Sequence, residues 1–282
     1  MMRRSPAVSG SFYPDRKEDL IRMLEWAFKR AGIEGIPRSV PGNRRIKGMV
    51  SPHAGYIYSG PTAAAGYNEL SKDGKPEIFF IIGPNHTGIG GRASIPLYEE
   101  WETPLGLVSV DLDLSKRLSK EVSGIRLENS PHAMEHSIEV QLPFIQVIFG
   151  DIKIVPMIIL DQDEGFSRNI GNAIWRIVKE SSTDAVVIAS SDMTHYEPDD
   201  IARKKDEIAL KEITEMNSEG LFDVIYEYGI SMCGPGPVAV AIEFSKLCGV
   251  KKGELIRYMT SGDMTGERGS VVGYASVIFR AE

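Results

Sequence analysis

Five histidines carry most of the reactive chemistry of this chain, and each sits in a turn marked by Gly, Pro or an acidic residue. They read Ser51-Pro52-His53-Ala54-Gly55, Gly83-Pro84-Asn85-His86-Thr87-Gly88, Pro131-His132-Ala133-Met134-Glu135-His136-Ser137 and Ser191-Asp192-Met193-Thr194-His195-Tyr196. Imidazole is the commonest metal ligand and the usual proton carrier near neutral pH. His53 and His86 follow two successive apolar runs in the same way, each just past a proline. A metal needs donors that converge from separate strands, so matching positions after successive strands point to a shared ion.

Two cysteines complete the donor set. Cys248, in Lys246-Leu247-Cys248-Gly249, reads as a small buried hydrophobe. Cys233 lies in Met232-Cys233-Gly234-Pro235-Gly236-Pro237, a turn that opens a helix. The positive end of a helix dipole is expected to lower a thiol pKa there, giving a nucleophile or a metal ligand. Asp192 and His195 are close enough in one turn for the carboxylate to orient the imidazole as a proton carrier. The same spacing also suits an aspartate turn cap beside an incidental histidine. His132-Ala133-Met134-Glu135-His136 formally matches the H-x-x-E-H zinc-peptidase pattern, in which two histidines share a helix face and the glutamate acts as base. Ser130-Pro131 instead suggests that a helix only begins here, with Glu135 and His136 aimed at the same pocket as the other histidines.

The elements that must position these groups alternate between strand and helix along the chain. Asp15 is placed to cap a helix running to Arg30, with Leu20, Leu24 and Phe28 on one face. Strands are expected at 46–51, 77–82, 105–110, 152–159, 185–189, 255–260 and 271–279. Helices are expected at 61–70, 112–122, 136–149 with a break at Pro143, 166–179, 201–216, 221–228 and 237–247. Runs such as Ile78-Phe79-Phe80-Ile81-Ile82 and Ala185-Val186-Val187-Ile188-Ala189 are apolar on both faces, the pattern of parallel strands covered by helices. The expectation is one α/β domain over residues 1–282: three α/β/α layers around a mainly parallel sheet. In such a sheet, ligands bind outside the carboxyl ends of the strands, where these histidines fall.

Bulk properties narrow the function classes. A net charge of −7, from 39 acidic and 32 basic residues, argues against nucleic acid as the main partner. No apolar run approaches the ~20 residues of a spanning helix, and no apolar stretch follows Arg3-Arg4 as a signal peptide requires. Two cysteines exclude a disulfide framework, so a cytoplasmic protein with reduced thiols is expected. No Walker A, G-x-S-x-G or dinucleotide fingerprint is present.

Taken together, these segments resemble the Memo family, called AmmeMemoRadiSam system protein B in prokaryotes. The resemblance rests on Arg4-Ser5-Pro6-Ala7-Val8-Ser9-Gly10-Ser11-Phe12-Tyr13-Pro14, Ser51 to Tyr56, Gly83 to His86, Glu135 to Phe144, Ser190 to Tyr196 and Cys233-Gly234. It implies the α/β fold of the class III, LigB-type extradiol dioxygenases. It further implies a pocket in which His53, His86 and Cys233 bind copper or iron, with zinc as the alternative metal. Asp192 and His195 would line that site as catalytic groups, with His136, which matches a further motif position, as their catalytic neighbour. Cys233 stands where the non-haem iron oxygenases carry a carboxylate. The resemblance therefore implies either a metal-dependent redox enzyme acting on a small molecule, or a metal-binding or peptide-binding protein that keeps the pocket without catalysis. A homo-oligomer is compatible with either.

Overall fold

A computed structural model describes residues 2–282. In chain order the strands are β1 (Arg3–Arg4), β2 (Ile46–Ser51), β3 (Ile78–Pro84), β4 (Ala93–Ile95), β5 (Glu100–Thr103), β6 (Gly106–Val110), β7 (Ile125–Leu127), β8 (Lys153–Ile159), β9 (Ala185–Ser190), β10 (His195–Glu197), β11 (Gly253–Thr260) and β12 (Val271–Arg280). The α-helices are α1 (Lys17–Arg30), α2 (Tyr56–Lys72), α3 (Leu112–Glu121), α4 (Leu142–Phe149), α5 (Glu164–Ser181), α6 (Asp199–Thr214), α7 (Ser218–Tyr228), α8 (Pro235–Leu247) and α9 (Gly262–Thr265).

These strands form a single sheet whose main path runs β1-β5-β6-β8-β3-β9-β2-β12-β10. Its centre, β6-β8-β3-β9-β2, is parallel throughout. The outer strands β12, β11 and β10 add antiparallel pairs at one side. Alternation along the central strands explains the three layers. Ile78, Phe80 and Ile82 of β3 pack with α5, α6 and α8 on one face. Phe79 and Ile81 pack with α1, α2 and α4 on the other. Strand β9 divides in the same way, with Ala185, Val187 and Ala189 facing one core and Val186 and Ile188 the other. The expected three-layer α/β/α arrangement with a mainly parallel centre is therefore observed.

Differences from the sequence expectation have local causes. Helix α1 begins at Lys17, and its N-cap Arg16 makes no side-chain cap, so Asp15 does not cap it. Helix α2 starts at Tyr56, five residues before the expected Pro61, and carries Pro61 inside it. The Tyr56 N–H donates to the Phe12 carbonyl (2.8 Å), a partner from the N-terminal segment that local sequence does not reveal. The helix expected over 136–149 is a 3₁₀ turn (Glu139–Gln141) followed by α4, with Pro143 in the first turn of α4. Strands β4, β5 and β7 are only three or four residues long, too short for a periodicity signal.

Candidate metal centre

Three adjacent central strands, β3, β9 and β2, end side by side and deliver most of the site. His53 follows β2, His86 follows β3, and Asp192 and His195 follow β9. His136 arrives from the loop between the 3₁₀ turn Ser130–His132 and α4, and Cys233 from the loop that opens α8. Two glycines allow the incoming loops to approach. A Cβ at Gly83 would lie 2.2 Å from Ser137 Oγ, and one at Gly234 would lie 2.7 Å from Ser191 Cβ, so both positions exclude a side chain.

One ring nitrogen from each of His53, His86 and His136 lies within 4.8 Å of the others, the one such group of metal donors among the described residues. Ring centroids are 5.2 Å apart for His53 and His86, 5.4 Å for His53 and His136, and 4.6 Å for His86 and His136. Cys233 Sγ adjoins this group at 3.2 Å from His53 Nε2. The Asp192 backbone N–H also points at that sulfur (3.2 Å).

Two of the three rings, His86 and His53, are hydrogen-bonded on their far side. His86 Nδ1 donates to Glu135 Oε1 (2.9 Å), and the His86 backbone N–H donates to Glu135 Oε2 (2.6 Å). Glu135 Oε1 also accepts the N–H groups of His136 (2.9 Å) and Ser137 (2.8 Å). Burial acts to raise the Glu135 carboxyl. The hydrogen bond and electrostatic attraction of the His86 ring and the Ser137 N–H outweigh it, and the group is lowered to about 2. His53 Nδ1 pairs instead with the Ser190 hydroxyl (2.9 Å). Burial pushes His53 well below its ordinary range, helped by repulsion from His136 and His86. Burial likewise lowers His136 to about 4. These two imidazoles stay neutral, as metal ligands must.

Asp192 and His195 line the same cleft but not as a pair. Asp192 Oδ1 accepts the His53 backbone N–H (2.7 Å), so the carboxylate fixes the His53 loop. Burial raises Asp192 to about 6. The His195 ring is oriented by Ser231, whose carbonyl accepts from Nδ1 (2.9 Å). Cys233 also departs from expectation. Burial, then the charge of Asp192, pushes its thiol up and overrides the lowering expected from the start of α8.

His132 lies outside the site. Its ring is fully buried, donates from Nε2 to the Ser94 carbonyl (2.9 Å) and stands 6.0 Å from the Trp101 ring. Residues 133–138 are not helical, so His132 and His136 never share a helix face. Glu135, spent on four N–H donors, is not a free base. The zinc-peptidase reading is thereby overturned.

The cleft above the histidines encloses about 570 Å³ and is walled by Phe12, Tyr58, Tyr196, Val272 and Tyr274. Phe12 packs 4.8 Å from His136. It is held there by the N-terminal segment, which is fastened to buried Glu139. That carboxylate accepts from Arg4 Nη1 (2.7 Å), the N–H groups of Ala7 and Val8, and the Tyr13 hydroxyl (2.6 Å). Sequence reasoning assigned no role to Ser190, Gln141, Ser231 or this Arg4–Glu139 fastening. Ser190, Gln141, Arg4 and Glu139 had one signal, membership of the segments that carried the resemblance, and Ser231 had none.

Comparison with known proteins agrees with that resemblance. Residues 4–278 match the Memo-like protein family. The chain is 43% identical over 281 residues to a MEMO1 family protein of Methanopyrus kandleri, covering 99% of both chains. It is 45% identical over 274 residues to one from Methanothermobacter thermautotrophicus, covering 97% of this chain and 99% of the relative. Among solved structures it is similar to an uncharacterized protein of Escherichia coli K12, with a TM-score of 0.54 and 13% identity. That likeness covers 83% of this chain and all of the other, and it concerns the fold alone.

Proposed function

We propose, since the chain belongs to the Memo family, that its cleft holds a redox-active metal ion, copper or iron, and acts on a small molecule. The convergence of three imidazoles within 4.8 Å, two of them hydrogen-bonded from behind, carries this reading. The donor chemistry fits a metal. With Nδ1 of His53 and His86 engaged by Ser190 and Glu135, Nε2 is the nitrogen each ring leaves for an ion. An imidazole backed by a carboxylate is the usual support of a metal ligand. His53, His86 and Cys233 are the proposed ligands. His136, proposed from sequence as a catalytic neighbour, is close enough to complete the set.

A bound copper or iron ion would supply Lewis acidity and one-electron chemistry. The protein's own groups supply the rest. His195, with Nδ1–H given to Ser231, offers Nε2 to the cleft to hold or move a proton. Asp192 keeps the His53 loop in place, and Phe12 screens His136 from water. The reducing environment of the cytoplasm would keep Cys233 as a thiol.

One observation favours a second reading, a metal-binding or peptide-binding protein without catalysis. Cys233 puts a thiol 3.2 Å from His53 Nε2, and thiolate shifts preference toward copper(I) or zinc. Anaerobic purification followed by elemental analysis of the wild type, Cys233→Ser and His86→Ala tests the site. Near-stoichiometric metal should be present in the wild type and sharply reduced in His86→Ala. Metal content that ignores both substitutions removes the proposal. Oxygen consumption with small-molecule substrates then separates the catalytic reading from the binding one.

A further inference from the structure

Ser190, the last residue of β9, is fully buried, and its hydroxyl has three polar neighbours. It donates its one proton to the Ser137 carbonyl (2.6 Å), which can only accept. It accepts from the Gln141 amide Nε2 (2.8 Å). Gln141 is itself pinned, since Nε2 also donates to the Pro52 carbonyl (3.0 Å) and Oε1 accepts from the Tyr67 hydroxyl (2.8 Å). The third neighbour is His53 Nδ1, at 2.9 Å. With its proton spent on Ser137, the hydroxyl can meet His53 only as an acceptor.

We infer that Ser190, held by Gln141 and Ser137, is a positioning residue that sets the His53 tautomer. The ring must carry its proton on Nδ1, which leaves the Nε2 lone pair directed at the ligand cluster and at Cys233 Sγ, 3.2 Å away. The opposite tautomer would put an N–H where the lone pair is needed and leave Nδ1 facing a hydroxyl with no proton to give. The same hydroxyl joins two site loops, because Ser137 adjoins His136 and donates its own N–H to Glu135 Oε1 (2.8 Å). The inference rests on the proposed metal site for its consequence, and on the hydrogen bonds alone for the tautomer.

Long-range proton–nitrogen NMR on ¹⁵N-histidine-labelled, metal-free protein reads the tautomer directly. Wild-type His53 should be protonated at Nδ1 and bare at Nε2. In Ser190→Ala, which removes one buried oxygen, the His53 nitrogens should shift toward a mixture of tautomers while the other histidines keep theirs. Gln141→Met, which frees the hydroxyl to turn, should move His53 in the same direction by a smaller amount. Iron(II) added anaerobically against a competing chelator should bind Ser190→Ala roughly 10–100-fold more weakly, the usual cost of removing a ligand's support. A wild-type His53 protonated at Nε2, or a Ser190→Ala protein with an unchanged His53 signature, overturns the inference. If the wild type binds no metal, the proposed function falls, and the nitrogen shifts still decide the tautomer.

Discussion

His86 and His53 turn the same kind of ring toward the same point, yet opposite chemistries hold them. His86 is partly exposed and leans on the charged Glu135 carboxylate, which also collects the N–H groups of His86, His136 and Ser137. His53 is buried and leans on a neutral chain, Ser190 and then Gln141 and Tyr67. The difference follows from burial. A carboxylate kept deep in the protein needs several donors to offset its desolvation, and Glu135 finds four N–H groups at the loop junction. Behind His53 lie strand ends and the side of α2, where a hydroxyl and an amide can be fully satisfied without charge. One anchor therefore supplies strength, and the other supplies direction.

The largest break in this comparison should come from Glu135→Ala. It strips the acceptor from three backbone N–H groups and one imidazole at once, and each unsatisfied buried donor costs about 1–3 kcal/mol. Urea denaturation should show a loss on the order of 3 kcal/mol or more, and metal affinity should fall with it. A stability change within about 0.5 kcal/mol of wild type, the range of ordinary surface substitutions, would mean that these N–H groups find water or other partners, and the strong-anchor account would fail.

Acid should separate the two anchors by pH window in metal-free protein. Glu135 is lowered to about 2 from an ordinary 4.5. Its contribution is fully present above the ordinary value and is lost as pH falls toward 2, at about 1.4 kcal/mol per pH unit. His53 is lowered from an ordinary 6.5. The unfolded chain takes up that proton first, so stability declines as soon as pH drops below 6.5. The stability gap between wild type and Glu135→Gln should therefore stay flat above pH ~5 and narrow only in stronger acid. The gap between wild type and His53→Asn should begin to change below pH 6.5. Two coincident windows would remove the distinction.

Cys233 sharpens the comparison from the His53 side. It touches His53 Nε2 and the Asp192 N–H and makes no hydrogen bond with His86 or Glu135. Cys233→Ser should leave the three imidazoles in place and keep measurable metal binding. It should lower copper(I) affinity more than iron(II) affinity, since thiolate is the soft donor of the set. Equal losses for both metals, read by chelator competition, would assign the sulfur a structural role instead.

What was legible in the sequence was local. The apolar runs of β3 and β9 announce strands buried on both faces, and the turns after them announce ligands at strand ends. What was not legible depends on partners far away in the chain. Ser190 and Gln141 acquire meaning only when β9 and the 139–141 turn meet behind His53. Asp192 looked like the orienter of His195, three residues on, but it serves His53, 139 positions away. The dipole expected to lower the Cys233 pKa was correctly located, yet burial beneath the neighbouring loops reverses its effect. The early start of α2 depends on the Phe12 carbonyl, and the N-terminal segment is placed by a carboxylate more than a hundred residues downstream.

The smallest effect on the site should come from His132→Gln, although His132 sits four residues from His136 in a tempting pattern. Its ring lies against Trp101 and gives its proton to the Ser94 carbonyl, so it touches neither anchor. Metal content should equal that of the wild type. What should change is stability in acid. Burial lowers His132 to about 3, so a protein carrying it loses stability as pH falls from 6.5 toward 3, and the glutamine variant lacks that loss. The gap between the two proteins should therefore shift in the variant's favour over that range. A fall in metal content in His132→Gln would instead tie this buried ring to the centre, and the separation between core and site drawn at residues 133–138 would have to be redrawn.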